Sequence, residues 1–336
     1  MSFKIKLFSK KPKEKQFEIE SPDKNIKCRV RLRDGRVYYE VKKNEDLLIR
    51  ESRLGFKLHG EDDLGQNLAL VRTQKKSENE VWSPIVGEEK QIHNQYNETV
   101  FYLTEITEKQ RLFSVRFRVF NDGVAFRYEI PPQPSFQRII VVDELTEFNL
   151  DLNGQAWRIP AYQATKYELN YEKWPVYELR DAVHTPLTVE TNNNKYLSIH
   201  EAALYNYGSM TLKLNTDRRL QADITPLSDG NKAYLDLPFD SPWRVIMIAD
   251  SAIELTVNRM ILNLNTSPKE DFSWVKPLKF LGIWWAMYVG EWTWAEGKKH
   301  GASTEHAKQY LDWCVKLGVS GLLVEGWNNG WSGEWS

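Results

Sequence analysis

Most of this chain repeats one pattern, in which short segments of alternating apolar and polar residues are separated by turn residues. Residues 26–32 (IKCRVRL) alternate with period two, Asp34 and Gly35 follow, and residues 37–41 (VYYEV) alternate again. Period-two alternation is typical of a strand with one buried face, and Asp-Gly between two such runs indicates a tight hairpin. The first segments therefore predict consecutive antiparallel strands.

The same alternation continues to about residue 265, with scarcely any helical periodicity. Further predicted strands are residues 112–120, 124–130, 196–200 and 243–249, and an Asn-Asp-Gly turn at 121–123 joins the first two. Regular strands and turn signals without helices predict an antiparallel all-β sandwich. Because the region is long, two stacked extended sheets are more natural than a small immunoglobulin-type unit.

The pattern changes near Pro277. Residues 280–285 (FLGIWW) form a continuous apolar run, typical of a strand buried on both faces. Residues 303–318 predict a helix, which Ser303 or Thr304 can cap and Gly318 ends. Its apolar stripe consists of Ala307, Tyr310, Leu311, Cys314 and Val315. Residues 322–324 predict the next buried strand, which completes a βαβ unit.

These patterns divide the chain into a basic, disordered lead-in at 1–16, a β domain at 17–272 and an α/β segment at 273–336. Two strands and one helix leave parallel edges open and bury little core, so the second domain is expected to be incomplete. The lead-in has no apolar core of a secretory signal.

Composition excludes several classes of protein. The net charge of −1 argues against nucleic-acid binding, which needs a basic surface, and no apolar run is long enough to cross a membrane. Cys28 and Cys314 are predicted to be two buried thiols, and their spacing does not suit a metal site.

Tryptophan is the unusual residue. Eight of the 13 tryptophans lie after position 280. Indole rings offer a broad rigid surface and one hydrogen-bond donor, which suits stacking on sugar rings. A tryptophan-rich core or interface explains the same excess, and composition alone does not separate the two.

Glu325 follows the second predicted parallel strand, and functional groups of parallel sheets lie at the carboxyl ends of strands. With Trp284, Trp285 and Trp327 nearby, Glu325 is a candidate for binding sugar hydroxyls; a capping or salt-bridging role is the alternative. His300 is either a ligand-facing side chain or a loop histidine packed on tryptophan.

In the β domain, Glu201 follows a predicted strand and is either a surface carboxylate or a ligand for a hard cation such as Ca²⁺. No Asp-rich loop accompanies it, so a calcium site would need ligands from elsewhere. The polar clusters at 96–98 and 143–147 are predicted to serve in turns and at strand edges.

Taken together, these segments resemble glycoside hydrolase family 97, which comprises exo-acting enzymes on α-glucosides and α-galactosides. The matching stretches run in order along nearly the whole chain. They are SPD at 21–23, YNE at 96–98, FNDGVAFRY at 120–128, TEF at 146–148, HTPLT at 184–188, LSIHEA at 197–202, SPWR at 241–244, LNLN at 262–265, GIWW at 282–285, KHGA at 299–302 and VEGWN at 324–328.

The resemblance implies a mainly β fold, a large antiparallel β-super-sandwich followed by the truncated start of a (β/α)8 catalytic barrel. It implies that Glu201 is a ligand of a Ca²⁺ cofactor and that Glu325 and one aromatic of the GIWW motif, Trp285 by preference, contact the sugar. Trp327 and His300 are the other predicted substrate-binding residues. Met287 and Tyr288 depart from the family pattern, which has Met-His there.

The VEGWN motif, with its glutamate, resembles the motif of the α-glucosidase-like, inverting branch of the family. We therefore expect the full-length protein to hydrolyse α-glucosidic bonds of oligosaccharides. The catalytic acid and bases are expected beyond Ser336, and the 336 residues alone are expected to be inactive. An α-galactosidase of the same family, or a non-catalytic carbohydrate-binding scaffold, is the alternative. Relatives are typically periplasmic, which predicts that location.

Overall fold

The computed structural model describes residues 14–134, 136–163, 169–328 and 330–331, and the predicted lead-in lies mostly outside them. The chain forms two compact units. The first comprises residues up to Ser83 together with Gln91–Ser267, and the second comprises Pro84–Lys90 and the residues from Pro268 onward.

The first unit is built almost entirely of strands. In chain order they are β1 (Lys15–Glu20), β2 (Ile26–Arg33), β3 (Arg36–Lys43), β4 (Asp46–Arg53), β5 (Phe56–Leu58), β6 (Leu68–Trp82), β7 (Ile92–Glu105), β8 (Leu112–Phe120), β9 (Gly123–Ile130), β10 (Arg138–Glu144), β11 (Glu147–Phe148), β12 (Gln155–Arg158), β13 (Glu172–Pro175), β14 (Val183–His184), β15 (Leu187–Glu190), β16 (Tyr196–Ala202), β17 (Met210–Leu214), β18 (Leu220–Ile224), β19 (Ala233–Asp236), β20 (Phe239–Asp240) and β21 (Trp243–Ala249). A 3₁₀ turn (Val176–Glu178) and two short helices, α1 (Ala252–Thr256) and α2 (Met260–Leu264), complete it.

All of these strands pair antiparallel. The largest sheet has the order β13-β12-β15-β16-β21-β9-β8-β7-β6, with β20 beside β9, and β6 lies at one end of it. Strands β1–β4 form a meander, and two smaller sheets have the orders β19-β10-β5 and β11-β18-β17-β14. Hairpins join consecutive strands such as β7, β8 and β9, whereas β21 pairs with β16 and β9, which are distant from it in the chain.

One apolar core joins the meander to the largest sheet. Tyr39 of β3 packs against Phe126 of β9 and Phe117 of β8, with ring centroids 4.8 and 6.0 Å apart. Side chains from β2 and β3 belong to the same buried cluster as those from β7, β8 and β9. The predicted large antiparallel sandwich is therefore confirmed.

The hairpin between β2 and β3 shows why the turn residues are needed. Asp34 and Gly35 have φ angles of 49° and 69°, as in the turns that join twisted antiparallel strands. A Cβ on Gly35 would lie 2.9 Å from the Asn67 Cα, so the neighbouring chain also requires glycine there. The tight hairpin predicted from Asp34 and Gly35 is therefore confirmed.

The second unit contains the predicted βαβ arrangement. Its elements are β22 (Phe280–Gly282), α3 (Trp285–Tyr288), α4 (Thr304–Leu317) and β23 (Gly321–Leu323). Strands β22 and β23 pair in parallel. The Ser303 side chain accepts a hydrogen bond from the His306 N–H, and Gly318 ends α4 with φ of 65°, so both predicted helix signals are confirmed.

Two details of this unit differ from the sequence prediction. The apolar run at 280–285 is a strand only as far as Gly282, because the Trp284 ring folds back over Gly282 and the Trp284 carbonyl accepts the Met287 N–H. On α4, Tyr310 and Cys314 are buried, whereas Leu311 and Val315 are exposed. A two-stranded sheet covers only part of the apolar stripe.

The prediction for the two polar clusters was wrong. Glu98, Glu144 and Glu147 are buried in the first unit, and each pairs with at least one arginine; Arg116 and Arg118, for example, both bind Glu98. The sequence did not reveal these ion pairs because the arginines are distant from the carboxylates in the chain.

Cys28 and Cys314 are free, buried thiols as predicted. Within the described residues no helix has the length and apolarity of a membrane span.

Candidate functional site

In the second unit, an aromatic groove of about 660 Å³ brings two of the predicted substrate-binding residues together, His300 and Trp327. Other side chains of the groove add rings, an amide and a carboxylate, namely Trp294, Trp331, Asn328 and Glu296. Trp327 is 71% exposed, so its indole ring offers a free face. Flat rings beside polar groups suit a sugar, which presents apolar C–H faces and hydroxyl edges.

The loop after β23 gives this groove its shape. Gly326 has a φ angle of 74°, and a Cβ there would lie 2.6 Å from the Trp294 ring. Glycine thus allows the backbone to approach Trp294 closely, while Trp331 packs on Trp294 with ring centroids 5.9 Å apart. The Nδ1 atom of His300 lies 3.3 Å from the Ala295 carbonyl oxygen. Because a carbonyl only accepts, this contact assigns the proton to Nδ1 and leaves Nε2 for another partner.

Trp285 lies elsewhere in the second unit. It begins α3, is 61% exposed, and lines a separate groove of about 370 Å³. Trp284, Tyr310 and Trp313 line the same groove, and the Trp284 and Trp285 rings meet edge to face at 5.5 Å. The structure therefore does not bring Trp285 together with His300 and Trp327, and its substrate contact stays a prediction.

Glu325 lies two residues beyond the end of β23, at the carboxyl end of this parallel strand as expected. Its side chain is partly buried, and among the described residues it has no hydrogen-bond or ion-pair partner. Hence the alternative of a salt-bridging glutamate finds no support among the described residues. The carboxylate lines neither of the two grooves, so its sugar contact also stays a prediction.

In the first unit, Glu201 on β16 is buried, which removes the surface-carboxylate alternative. One carboxylate oxygen accepts the Met210 N–H at 2.9 Å, and the other accepts from Nη1 of Arg244 at 2.8 Å. Burial raises the pKa of the Glu201 carboxyl, and Arg244 and the Met210 N–H offset only part of that effect.

Arg244 is shared between two carboxylates. Its Nε and Nη2 atoms bind both oxygens of Glu144 at 2.8 and 2.6 Å, in addition to the bond to Glu201. Burial opposes the charge on the guanidinium, but Glu144 and Glu201 outweigh it, so the pKa of Arg244 is raised. One buried guanidinium is thus shared by two carboxylates.

The described residues fit calcium only in part. No group of three or more His, Cys, Asp or Glu side chains in the described ranges is arranged to hold a metal ion. Ca²⁺ takes six to eight oxygen ligands, so Glu201 would supply one carboxylate and the remaining ligands would come from outside these residues.

Sequence reasoning missed the partners of Glu201 and part of the aromatic groove. Arg244 ends the SPWR stretch, and Glu144 lies in a cluster assigned to turns. Their only signal was an arginine within a strongly apolar strand, which needs a buried acidic partner. Trp294 and Trp331 belong to the tryptophan-rich segment after position 280, and composition alone does not show which of its tryptophans line a groove.

Comparison with known proteins agrees with this architecture. Residues 19–267 match the profile described as Glycosyl-hydrolase 97 N-terminal, and residues 284–336 match Glycoside hydrolase 97. The fold is similar to that of a glycoside hydrolase family 97 enzyme from Pseudoalteromonas sp. strain K8, with a TM-score of 0.88 and 38% identity over 95% of this chain and 48% of that one. The chain belongs to glycoside hydrolase family 97.

Two curated relatives are more distant. A retaining alpha-galactosidase of Bacteroides thetaiotaomicron is 24% identical over 94% of this chain and 50% of the relative. A probable retaining alpha-galactosidase of Streptomyces bingchenggensis is 25% identical over 87% of this chain and 43% of the relative. The chain thus spans about half the length of the relatives it matches. Structures of the Pseudoalteromonas enzyme include complexes with panose and with acarbose.

Proposed function

We propose that this chain is the N-terminal portion of a calcium-dependent, exo-acting α-glucosidase that hydrolyses α-linked oligosaccharides with inversion. The observation that carries the proposal is the aromatic groove that holds Trp327 and His300 at the end of β23. Catalytic groups of barrel enzymes lie at this end of the strands. An exposed indole beside polar side chains is suited to a sugar ring.

Two observations bear on the choice of glucoside. The 38%-identical Pseudoalteromonas enzyme has been crystallised with panose, a trisaccharide of α-linked glucose, and with acarbose. The VEGWN motif, which contains Glu325, resembles the motif of the α-glucosidase-like branch of the family. The curated relatives named retaining α-galactosidases favour the second candidate, an α-galactosidase, but they are 24% and 25% identical to this chain.

In this proposal the residues of the chain bind and orient the sugar. The exposed face of Trp327 packs on the ring, Nε2 of His300 accepts from a hydroxyl, and Glu325 accepts further hydroxyl hydrogens. Glu201 contributes a carboxylate to a bound Ca²⁺, which when present supplies positive charge that positions substrate and catalytic carboxylates. The acid and the bases are proposed to lie beyond Ser336, and we propose a periplasmic location.

The substrate class is tested with the intact protein, freed of metal by a chelator and then supplied with calcium. We expect hydrolysis of p-nitrophenyl α-glucoside and panose that depends on added calcium. Inversion predicts β-glucose as the first product, which proton NMR resolves from the α anomer. A preference for the α-galactoside, or α-configured product, would favour the second candidate.

The groove is tested by replacing Trp327 with alanine and comparing that variant with Trp274→Ala. Both tryptophans are similarly exposed, at 71% and 74%, but only Trp327 lines the groove. Loss of an aromatic contact worth about 0.5–1.5 kcal/mol raises KM by about 2- to 10-fold for Trp327→Ala. Equal KM values for the two variants would remove Trp327 from the substrate site.

A further inference from the structure

The loop that carries His300 also presents a carboxylate to the aromatic groove. Among the described residues that line this groove, Glu296 and His300 are the two with ionisable side chains. The sugar contacts proposed above involve His300 and Trp327 but not Glu296. A carboxylate beside exposed indole rings is nevertheless placed to interact with any polar substituent of a sugar that stacks on them.

Hydrogen bonds from His300 hold the backbone on both sides of Glu296. The His300 N–H donates to the Gly297 carbonyl at 3.0 Å, and its Nδ1 atom donates to the Ala295 carbonyl at 3.3 Å. Gly297 has a φ angle of 125°, a conformation that glycine adopts readily, so the chain turns directly after Glu296. The place of Glu296 in the groove is therefore fixed relative to His300.

The Glu296 carboxylate has no partner of opposite charge within the part of the chain that the structure describes. Lys298 and Lys299 follow in the same loop, but they are exposed and line neither groove of the second unit. Since Nδ1 of His300 holds its proton toward Ala295, Nε2 is an acceptor. The two ionisable side chains of the groove thus present a negative charge and an acceptor, which favours a ligand that donates hydrogen bonds.

We infer that Glu296 is a specificity-determining residue of the groove: its charge favours a sugar with a protonated amine over the neutral sugar, and disfavours a sugar acid. The inference rests on the sugar site proposed above. A substituent on a sugar bound beside Glu296 lies within a Debye length, which is about 10 Å at 0.1 M salt, so its charge interacts with the carboxylate. Because Glu296 is exposed, each preference should be about 2- to 5-fold, as for other exposed charge pairs.

The test uses the intact protein and three competitors that differ only at carbon six of the sugar. Methyl α-glucoside is neutral, its derivative with a primary amine at carbon six is positive, and methyl α-glucuronide is negative. Their inhibition constants are measured against p-nitrophenyl α-glucoside, or with the galactose series if the α-galactoside is the better substrate. Relative to the neutral competitor, Glu296→Gln should raise the constant of the amine about 2- to 5-fold and lower that of the acid by a similar factor.

Glu291→Gln is the matched control, because Glu291 is an exposed glutamate of the same unit that lines neither groove. Its three inhibition constants should equal those of the wild type. Glu296→Asp keeps the charge and should keep the wild-type order of the three competitors. Salt screens exposed charges, so the effect of Glu296→Gln should shrink at about 1 M salt, where the Debye length is about 3 Å.

Unchanged ratios in Glu296→Gln, or the same change in Glu291→Gln, would overturn the inference, as would an equal loss for all three competitors. The sugar site itself would still stand in those cases if Trp327→Ala raised KM. If no competitor binds and Trp327→Ala leaves KM unchanged, the sugar site is rejected and the role of Glu296 with it. Thermal unfolding shows whether each variant folds; if Glu296→Gln does not, Glu296→Lys replaces it and should shift both ratios in the same directions.

Discussion

The two units of the chain differ in which side chains they bury and which they expose. In the first unit even charged groups are enclosed and paired, as Arg111 with Glu105 and Arg244 with Glu144. In the second unit large apolar side chains face outward, including Trp285, Trp327 and Val315, the last 83% exposed. The first unit thus buries paired charges, whereas the second leaves large apolar side chains exposed.

Connectivity explains the difference. The strands of the first unit pair antiparallel within that unit, some with sequence neighbours and others, such as β9 and β21, across long connections, and they enclose a core of their own. Parallel strands need a crossover helix and are usually covered on both faces. Strands β22 and β23, with α4 beside them, pair only with each other among the described residues.

The largest expected effect comes from breaking an enclosed ion pair of the first unit. Two nitrogens of Arg111 bind the two oxygens of Glu105 at 2.5 and 2.6 Å, and both side chains are almost fully buried. Arg111→Met leaves Glu105 charged and unpaired, which lowers the free energy of unfolding by about 3–5 kcal/mol. Urea denaturation followed by circular dichroism measures the change.

An ion pair at the surface of the same unit provides the control. Arg33 and Glu51 are bonded at 2.6 Å but remain partly exposed, and exposed pairs are worth about 0–1 kcal/mol. Arg33→Met should therefore cost far less than Arg111→Met. If the two variants lost similar amounts of unfolding free energy, burial of the Arg111–Glu105 pair would not be what makes it important for stability.

An intermediate effect with a pH signature is expected at Asp223. Burial disfavours its charge, but Lys213 and Lys232, whose Nζ atoms lie 2.9 and 3.2 Å from it, outweigh burial and lower the pKa of Asp223. Asp223→Asn should cost about 1–3 kcal/mol at pH 7, the usual loss for a hydrogen bond to a charged group.

The sign of the pH dependence follows from that lowered pKa. Stability from the charged Asp223 is present above the unfolded-state pKa of about 3.9 and is lost as pH falls through the lower pKa of the folded state. The difference between wild type and Asp223→Asn should thus shrink below about pH 4. A difference that is equal at pH 7 and pH 3 would rule out this electrostatic account.

The smallest effect is expected in the second unit, at the start of α4. Ser303→Ala removes the acceptor of the His306 N–H and should cost about 1 kcal/mol of local stability. Hydrogen exchange of the amides in the first turn of α4 measures this. Ser303→Asp restores an acceptor at the same position, so its amides should exchange at the wild-type rate. Faster exchange in both variants would contradict the capping role of the side chain at position 303.

The local structure was predictable because its causes lie within a few residues. Period-two alternation located β2, β3, β8 and β9, and the serine and glycine at the two ends of α4 fixed its bounds to within a residue. The resemblance to glycoside hydrolase family 97, which the comparisons confirm, rests on motifs distributed over both units.

What the sequence did not reveal depends on residues far apart in the chain. Glu144 and Arg244 are separated by 100 positions, and only the register of the sheets brings them together. The division of the tryptophans between two grooves depends on the turn at Trp284, where the indole folds over Gly282. An apolar run does not encode such a turn, so the sequence predicted a longer strand there.

Strand β6 forms one end of the largest sheet over 15 residues, and the backbone groups of such an edge can pair with a strand of another molecule. Charged and largely exposed side chains follow one another along it, namely Arg72, Lys75, Lys76, Glu78 and Glu80. An incoming strand would have to strip water from these charges, so the edge resists aggregation although its backbone is open.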